Sequence, residues 1–119
     1  MEKTQNYEEL IVWQKAHDFV LNVYQLTKSF PKEELFGLTT QFRRASVSIA
    51  ANIVEGYSKK GPKDKLRFLN IAQGSLAECR YYLRLSQDIG FANTATQEAD
   101  LEKVSKLLNA YYRGISRNH

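Results

Sequence analysis

Apolar residues recur along most of the chain at alternating steps of three and four positions, which is the period of an α-helix. Prolines and glycines divide this pattern into four segments, so it predicts helices over residues 7–29, 37–56, 62–89 and 94–115. The connectors between the segments are short, which is typical of helices that pack against their sequence neighbours. The pattern therefore predicts an all-α fold, an antiparallel up-down four-helix bundle. We expect one domain over residues 1–119, with flexible tails at 1–6 and 116–119.

The second segment, residues 37–56, is expected to be the centre of this bundle. One face carries a continuous apolar stripe, made of Leu38, Phe42, Ala45, Ile49 and Ile53. Val47 and Val54 extend apolar character to the opposite side, and most remaining positions are small. A helix that is apolar on most sides is normally buried on most sides. We therefore expect this helix to be enclosed by its neighbours.

Capping residues predict where the helices begin and end. Asn6 is a candidate N-cap for the first helix, and Gly56 is expected to end the second in a left-handed conformation. Gly90 is expected to end the third helix, and the three residues FAN that follow it connect to the fourth. Thr94 with Gln97 has the spacing of a capping box at the start of the fourth.

Each of the first three helices carries a second apolar stripe beside its main one, whereas the fourth has a single narrow stripe. Apolar surface beyond the needs of a monomeric bundle usually marks a subunit interface, so we expect self-association. The alternative is that some of these residues occupy boundary positions of an ordinary bundle. The interface candidates are Phe19, Val23, Val47, Val54, Ile71, Ser75, Glu78 and Tyr82. Gly74 and Ser75 at mid-helix also indicate a close approach by another backbone.

Four separated motifs carry a resemblance to a known family. They are VWQKAH, FPKEELFGL, GLTTQFRRASVSIAANIVEG and FLNIAQGSLAECRYYL, in that order, and the similarity runs from about residue 10 to 112. The chain resembles the four-helix-bundle proteins encoded in 23S rRNA intervening sequences. The resemblance implies a homo-oligomer, often a pentameric ring, without established enzymatic activity. The accessory proteins of diversity-generating retroelements, a related group, form basic pentameric barrels that bind nucleic acid. The linker GYSKKGPKDK departs from the family in being richer in lysine and poorer in serine and arginine.

Composition limits the classes of function. With 43% hydrophobic and 25% charged residues, the 119-residue chain is typical of a globular domain. One cysteine cannot form an internal disulfide, and no apolar leader or membrane-length run is present, so we expect a cytoplasmic protein without membrane contact. The net charge of +4 is compatible with polyanion binding and equally with simple solubility.

Clusters of basic residues are the leading functional candidates. Five of them crowd the turn between the second and third helices, namely Lys59, Lys60, Lys63, Lys65 and Arg67. Arg43 and Arg44 on the second helix either contact a phosphate backbone or pair with carboxylates of a neighbouring helix or subunit. No sequence-reading RNA motif is present. The predicted function is a non-enzymatic oligomeric scaffold with weak, sequence-independent binding of RNA or DNA. The alternative is a protein–protein scaffold without nucleic-acid binding.

Catalytic and metal-binding signatures are weak. The Glu-x-x-His pairs of di-iron bundles and the ligand spacing of zinc sites are both missing, so no metal, cofactor or small-molecule substrate is expected. Cys79 and His17 fall on apolar stripes, where a packing role is expected. Arg113 and His119 have the spacing of the R-x4-6-H signature of HEPN ribonucleases, which makes a ribonuclease the least favoured alternative.

Overall fold

The computed structural model describes residues 4–118 and contains four long helices. They are α1, Ile11–Thr27; α2, Thr40–Ser58; α3, Pro62–Asp88; and α4, Ala95–Arg117. A single 3-10 turn, Tyr7–Glu9, precedes α1, and a 3-10 turn and a π-helical turn occupy the connector Lys32–Thr39. Residues 4–118 contain no β-strand, so the predicted all-α class and the number of helices are confirmed. None of the helices in this part of the chain has the length and apolarity needed to cross a membrane.

Consecutive helices run in opposite directions. Tyr82, towards the end of α3, donates a hydrogen bond of 3.5 Å to Gln41 at the start of α2. Later in α2 but earlier in α3, the hydroxyl of Ser75 donates to that of Ser48 at 2.8 Å. α2 packs against α1 and α3, and α4 packs against the same two helices, so α2 and α4 occupy diagonal corners of the bundle. The bundle is elongated, with extents of 46 × 24 × 21 Å.

The core is one continuous apolar cluster to which every helix contributes a stripe. The stripe predicted for α2 is buried along its whole length, and α4 contributes the narrow seam expected of it. Each fully buried large side chain contributes about 1.5–3 kcal/mol of hydrophobic free energy. The largest of these are Phe19, Phe42, Ile49, Ile53, Leu69, Leu83, Leu101 and Leu108.

The prediction that α2 is buried on most sides is wrong for the single chain. Arg44, Val47, Ala51 and Glu55 are all exposed and lie along its outer face. The reason is geometric, because a helix at the corner of a four-helix bundle touches two neighbours and leaves its outer side uncovered. This outer side carries the charged residues Arg44 and Glu55 beside Val47 and Ala51, and no residue from 4 to 118 covers it.

Gly56 does not end α2, contrary to the prediction. It is buried, lies inside the helix, and has no positive φ, whereas α2 continues to Ser58. A Cβ at this position would lie 3.2 Å from the Leu69 side chain and 3.2 Å from the Lys65 carbonyl oxygen. The glycine therefore permits the close approach of α3. Gly90, by contrast, lies just after the end of α3, as predicted, and has a positive φ of 78°.

Other predicted helix ends are met in part. Asn6 accepts a hydrogen bond from the backbone N–H of Glu8, as an N-cap should, although it caps the 3-10 turn rather than α1. The capping box at the start of α4 is not formed. Thr94 instead donates to the Glu98 carboxylate at 2.8 Å, and Gln97 Oε1 is buried without a hydrogen-bond partner among the described residues. The buried position of Thr94 directs its hydroxyl inward, away from the N–H of residue 97.

We expect the change Gly56→Ala to destabilise the bundle by roughly 1–3 kcal/mol, the usual cost of an added methyl group in a packed interior. The new Cβ would be 3.2 Å from a backbone oxygen, so relief requires α3 to move away from α2. The measurement is the free energy of unfolding in urea.

Gly114→Ala is the matched control for this change. Gly114 lies in α4, and a Cβ there would meet nothing within 4 Å. Replacing an unstrained helical glycine by alanine should leave stability unchanged or raise it by up to about 1 kcal/mol. Equal effects of the two substitutions would show that the close approach at Gly56 is unimportant.

Candidate interaction surfaces

The basic turn between α2 and α3 contains five cations, but the fold already uses three of them. The Lys65 amine donates to the carbonyl oxygens of Gly56 at 3.3 Å and Tyr57 at 2.9 Å, at the C-terminal end of α2. It therefore satisfies carbonyls that have no partner within the helix. Burial lowers the pKa of the Lys65 amine below its usual value. This lysine is part of the structure of the turn.

Lys59 and Arg67 each have an acidic partner. Lys59 lies 3.6 Å from the Glu55 carboxylate and Arg67 lies 3.8 Å from that of Asp64, and both cations approach the ring of Phe68. Lys60 and Lys63 are exposed and have no ion pair within residues 4–118. The turn thus offers two unpaired lysines rather than five.

Arg43 and Arg44 differ in their surroundings. Arg43 is half-buried, donates from Nε to the Thr27 hydroxyl at 2.8 Å, and places its guanidinium 4.7 Å from the centre of the Tyr24 ring. It therefore ties α2 to α1. Arg44 is exposed and forms no ion pair with any residue from 4 to 118. Glu55, which lies on the same face of α2, is paired with Lys59.

An open depression runs along the outer side of α1 and α2, and we call it the α1–α2 groove. Two adjoining hollows of about 520 Å³ and 260 Å³ form it, and they share Val47. Its lining is apolar and aromatic with two arginines and a histidine, and it contains no carboxylate. The lining residues are Tyr7, Trp13, His17, Val20, Tyr24, Thr40, Arg43, Arg44, Val47, Ser48, Ala50, Ala51 and Val54.

His17 lies in this groove and not in the core, which corrects the prediction from its apolar stripe. Its ring is exposed and stacks on Trp13 with 5.0 Å between ring centres and 7° between planes. Tyr7 contacts the other side of the indole edge-on, also at 5.0 Å. The three rings therefore form an aromatic cluster in this part of the groove.

A second accessible surface lies on α3, on the side that faces α2. We call it the α3 strip and define it by Phe68, Ile71, Glu78 and Tyr82. Ile71 is 44% exposed, Glu78 is exposed, and Phe68 and Tyr82 are half-buried. Desolvation, followed by the nearby charge of Glu78, raises the pKa of the Tyr82 hydroxyl. Glu78 forms no ion pair with the part of the chain that the structure describes.

The predicted interface residues separate into three groups. Phe19 and Val23 are 1% and 0% exposed, so the bundle's own core takes them up and they are unavailable to a partner. Ser75 is 6% exposed, since it forms the contact with α2, and Gly74, expected at the same close approach, instead faces open space. The remaining candidates are accessible: Val47 and Val54 in the α1–α2 groove, and Ile71, Glu78 and Tyr82 on the α3 strip.

The geometry gives little support to a catalytic role for Cys79, for Arg113 with His119, or for a metal ion. Cys79 is fully buried, and burial, helped by Glu78, raises the pKa of its thiol to about 12, so it is not a nucleophilic thiolate at neutral pH. Arg113 is exposed near the end of α4, and its predicted partner His119 lies outside the described residues. Within residues 4–118, no group of three or more His, Cys, Asp or Glu side chains is placed to hold a metal ion.

The sequence features that define one family of proteins, the 23S rRNA-intervening sequence proteins, match residues 8–110 of this chain. The chain belongs to that family. The predicted resemblance is therefore confirmed. A search of proteins with curated descriptions finds no match.

A solved crystal structure supports the fold. It is that of a protein of unknown function from the S23 ribosomal protein family of Bacteroides thetaiotaomicron. The two chains are 26% identical and superpose with a TM-score of 0.80 over 87% of this chain and 96% of the other. The four-helix bundle described above is thus shared with an experimentally determined relative.

Two features of these surfaces were missed by reasoning from the sequence. The capping role of Lys65 depends on how the turn folds back, and no spacing rule distinguishes it from Lys63. The contact of Arg43 with Tyr24 depends on how α2 packs against α1, which the sequence pattern of either helix does not show.

The buried thiol gives a prediction about pH. The unfolded chain ionises Cys79 near its ordinary pKa of 9.0, whereas the folded thiol keeps its proton up to about pH 12. Above pH 9 the unfolded state therefore binds fewer protons than the folded state. The contribution of the thiol to the free energy of unfolding consequently falls as the pH rises. We expect the stability difference between wild type and Cys79→Ala to shrink by about 1 kcal/mol from about pH 8 to about pH 10.

Urea unfolding of both proteins under reducing conditions measures this difference. Tyrosines and lysines that titrate in the same range are present in both proteins, so their effects cancel in the comparison. Parallel stability curves over the whole range would contradict a buried, protonated thiol.

Proposed function

We propose that this protein is a non-enzymatic helical scaffold that self-associates and binds nucleic acid weakly, without sequence preference. The observation that carries the proposal is the exposed, carboxylate-free α1–α2 groove. It presents valine, tryptophan and tyrosine side chains that the described residues 4–118 leave accessible, and contiguous surfaces of this kind usually serve association. A ring of five subunits is favoured by the family resemblance.

The nucleic-acid part of the proposal rests on Lys60 and Lys63. They are exposed at the α2–α3 turn, at one end of the bundle, and carry no acidic partner among residues 4–118. Two cations per chain attract a phosphate backbone only weakly, but repetition around an assembly sums their field. Because lysines recognise phosphates and not base edges, such binding is independent of sequence.

A protein–protein scaffold without nucleic-acid affinity is the second candidate. The observation in its favour is that Lys59, Lys65 and Arg67 are committed to contacts within the turn, which reduces the charge available to a polyanion. The two candidates make opposite predictions for salt-dependent binding, so one titration separates them.

The first test of the proposal is the mass in solution. We expect light scattering at micromolar concentrations to give a multiple of the chain mass of 13.7 kDa. A mass near that of one chain across this range would remove self-association from the proposal.

The second test is charge reversal at the turn, Lys60→Glu with Lys63→Glu. We expect weaker binding to unrelated RNA and DNA alike and a flatter dependence of affinity on salt, because fewer counterions are released. Fluorescence anisotropy with labelled single-stranded RNA and duplex DNA measures both quantities. Folding and solution mass should be unchanged, since neither lysine has a partner within residues 4–118.

The control is Lys103→Glu with Lys106→Glu, the same change of net charge on exposed positions of α4. It should reduce affinity less than the turn variant. Equal losses would mean that net charge alone governs binding. If wild-type affinity for both nucleic acids is negligible even at low salt, the protein–protein scaffold is the better description.

A further inference from the structure

We propose that the α3 strip of one copy docks into the α1–α2 groove of the next copy, with Glu78 facing Arg44, so that the contact repeats around a closed ring. This inference rests on the self-association proposed above and names the two surfaces and the charge pair that would form it. The partner of each surface is therefore a second copy of this chain.

Charge complementarity is the first argument. The α1–α2 groove contains Arg43, Arg44 and His17 and no carboxylate, whereas Glu78 is the one charged member of the α3 strip. Arg44 and Glu78 are both exposed, and neither has an ion pair within residues 4–118. Docking would give each charge a partner at the moment it is desolvated, which is the condition under which a charge is tolerated in an interface.

The level of the two residues along the bundle is the second argument. The Gln41–Tyr82 and Ser48–Ser75 hydrogen bonds fix the register of α2 against α3. Arg44 is about midway between the two α2 residues, and Glu78 is about midway between the two α3 residues, so both charges lie at the same level. The proposed ring has its axis along the bundle, and rotation about such an axis moves residues sideways without changing their level. Arg44 of one copy therefore meets the Glu78 level of its neighbour.

The apolar residues are also matched by level. Ile71 precedes Ser75 by one turn of α3, which places it towards the C-terminal half of α2, beside Ala51 and Val54. That half of the groove is bounded by the Trp13–His17 stack. The small side chain of Ala51 leaves room for the 44%-exposed Ile71 of a neighbouring copy. In this arrangement Ile71 meets the half of the groove that contains Ala51 and Val54, and the Glu78 carboxylate meets the half that contains Arg44.

A symmetric contact of groove with groove is less well supported. In that arrangement two α2 helices would cross antiparallel, and Arg44 of each copy would approach Glu55 of the other. Glu55 is already paired with Lys59 at 3.6 Å, so the contact would compete with an existing ion pair. It would also leave Glu78 and Ile71 uncovered, whereas the docking of unlike surfaces covers both.

The experiment is a charge exchange in the full chain, followed by sedimentation velocity over a range of protein concentrations. Arg44→Glu and Glu78→Arg each place like charges opposite one another, so we expect the apparent dissociation constant of the assembly to rise at least about tenfold. The double variant Arg44→Glu/Glu78→Arg restores opposite charges. It should return the dissociation constant to within about threefold of the wild-type value.

Two control variants accompany the exchange. Lys103→Glu on α4, diagonal to α2, should leave assembly unchanged. Arg44→Glu/Glu55→Arg should stay dissociated, because it repairs the symmetric contact and not the one proposed. Circular dichroism and thermal melts of all variants separate a loss of assembly from a loss of folding.

The outcomes have distinct meanings. A monomeric wild type removes this inference together with the proposed self-association. An assembled wild type whose single variants assemble normally overturns only the docking of strip with groove. Rescue by the Glu55 double variant, a shift in melting temperature without a change in mass, or a loss of RNA binding without a loss of assembly also overturns it. Rescue by the Glu55 variant would indicate a symmetric contact, and a melting shift without a change in mass would indicate an ion pair within one chain. Loss of RNA binding alone would indicate that nucleic acid occupies the groove.

Discussion

The close contact between α2 and α3 is the constraint on which the rest of the structure depends. At Gly56 the two helices approach until an added Cβ would be 3.2 Å from the α3 backbone, and at Ser48 and Ser75 two hydroxyls span them at 2.8 Å. A glycine and small hydroxyl side chains allow this distance, and the hydrogen bond gives the buried hydroxyls a partner. The contact fixes the register of the two helices, and therefore the level of every charge on their outer faces.

This contact also decides which surfaces stay open. Because the inner and α3-facing sides of α2 are used within the bundle, its outer side is left beside α1, and the two together form the α1–α2 groove. Some exposed charges elsewhere are paired, as in the hydrogen-bonded ion pairs of Arg80 with Glu102 and Arg84 with Asp88. Such exposed pairs contribute little stability, but they neutralise the surface. Arg44, Glu78, Lys60 and Lys63 are among the exposed charges that have no ion pair within residues 4–118.

Membership in the family of 23S rRNA-intervening sequence proteins agrees with this picture without naming an activity. The solved relative from Bacteroides thetaiotaomicron is itself of unknown function. Cys79 is buried and its thiol has a raised pKa, and no group of three or more His, Cys, Asp or Glu side chains within residues 4–118 is placed to hold a metal ion. The α1–α2 groove, the α3 strip and the exposed Lys60 and Lys63 are the accessible features on which the proposed binding function rests.

The sequence by itself determined the number of helices, their approximate limits and the core stripe from Leu38 to Ile53, because helical periodicity and chain-breaking residues act locally. It also marked the basic turn and the excess of apolar surface. Only the tertiary structure decided that Phe19 is core and His17 is surface, since both lie on apolar stripes and the difference is which stripe meets the neighbouring helices. It likewise assigned Gly56 to close packing and Lys65 to a helix end, because both roles depend on residues that approach only when α3 folds back on α2.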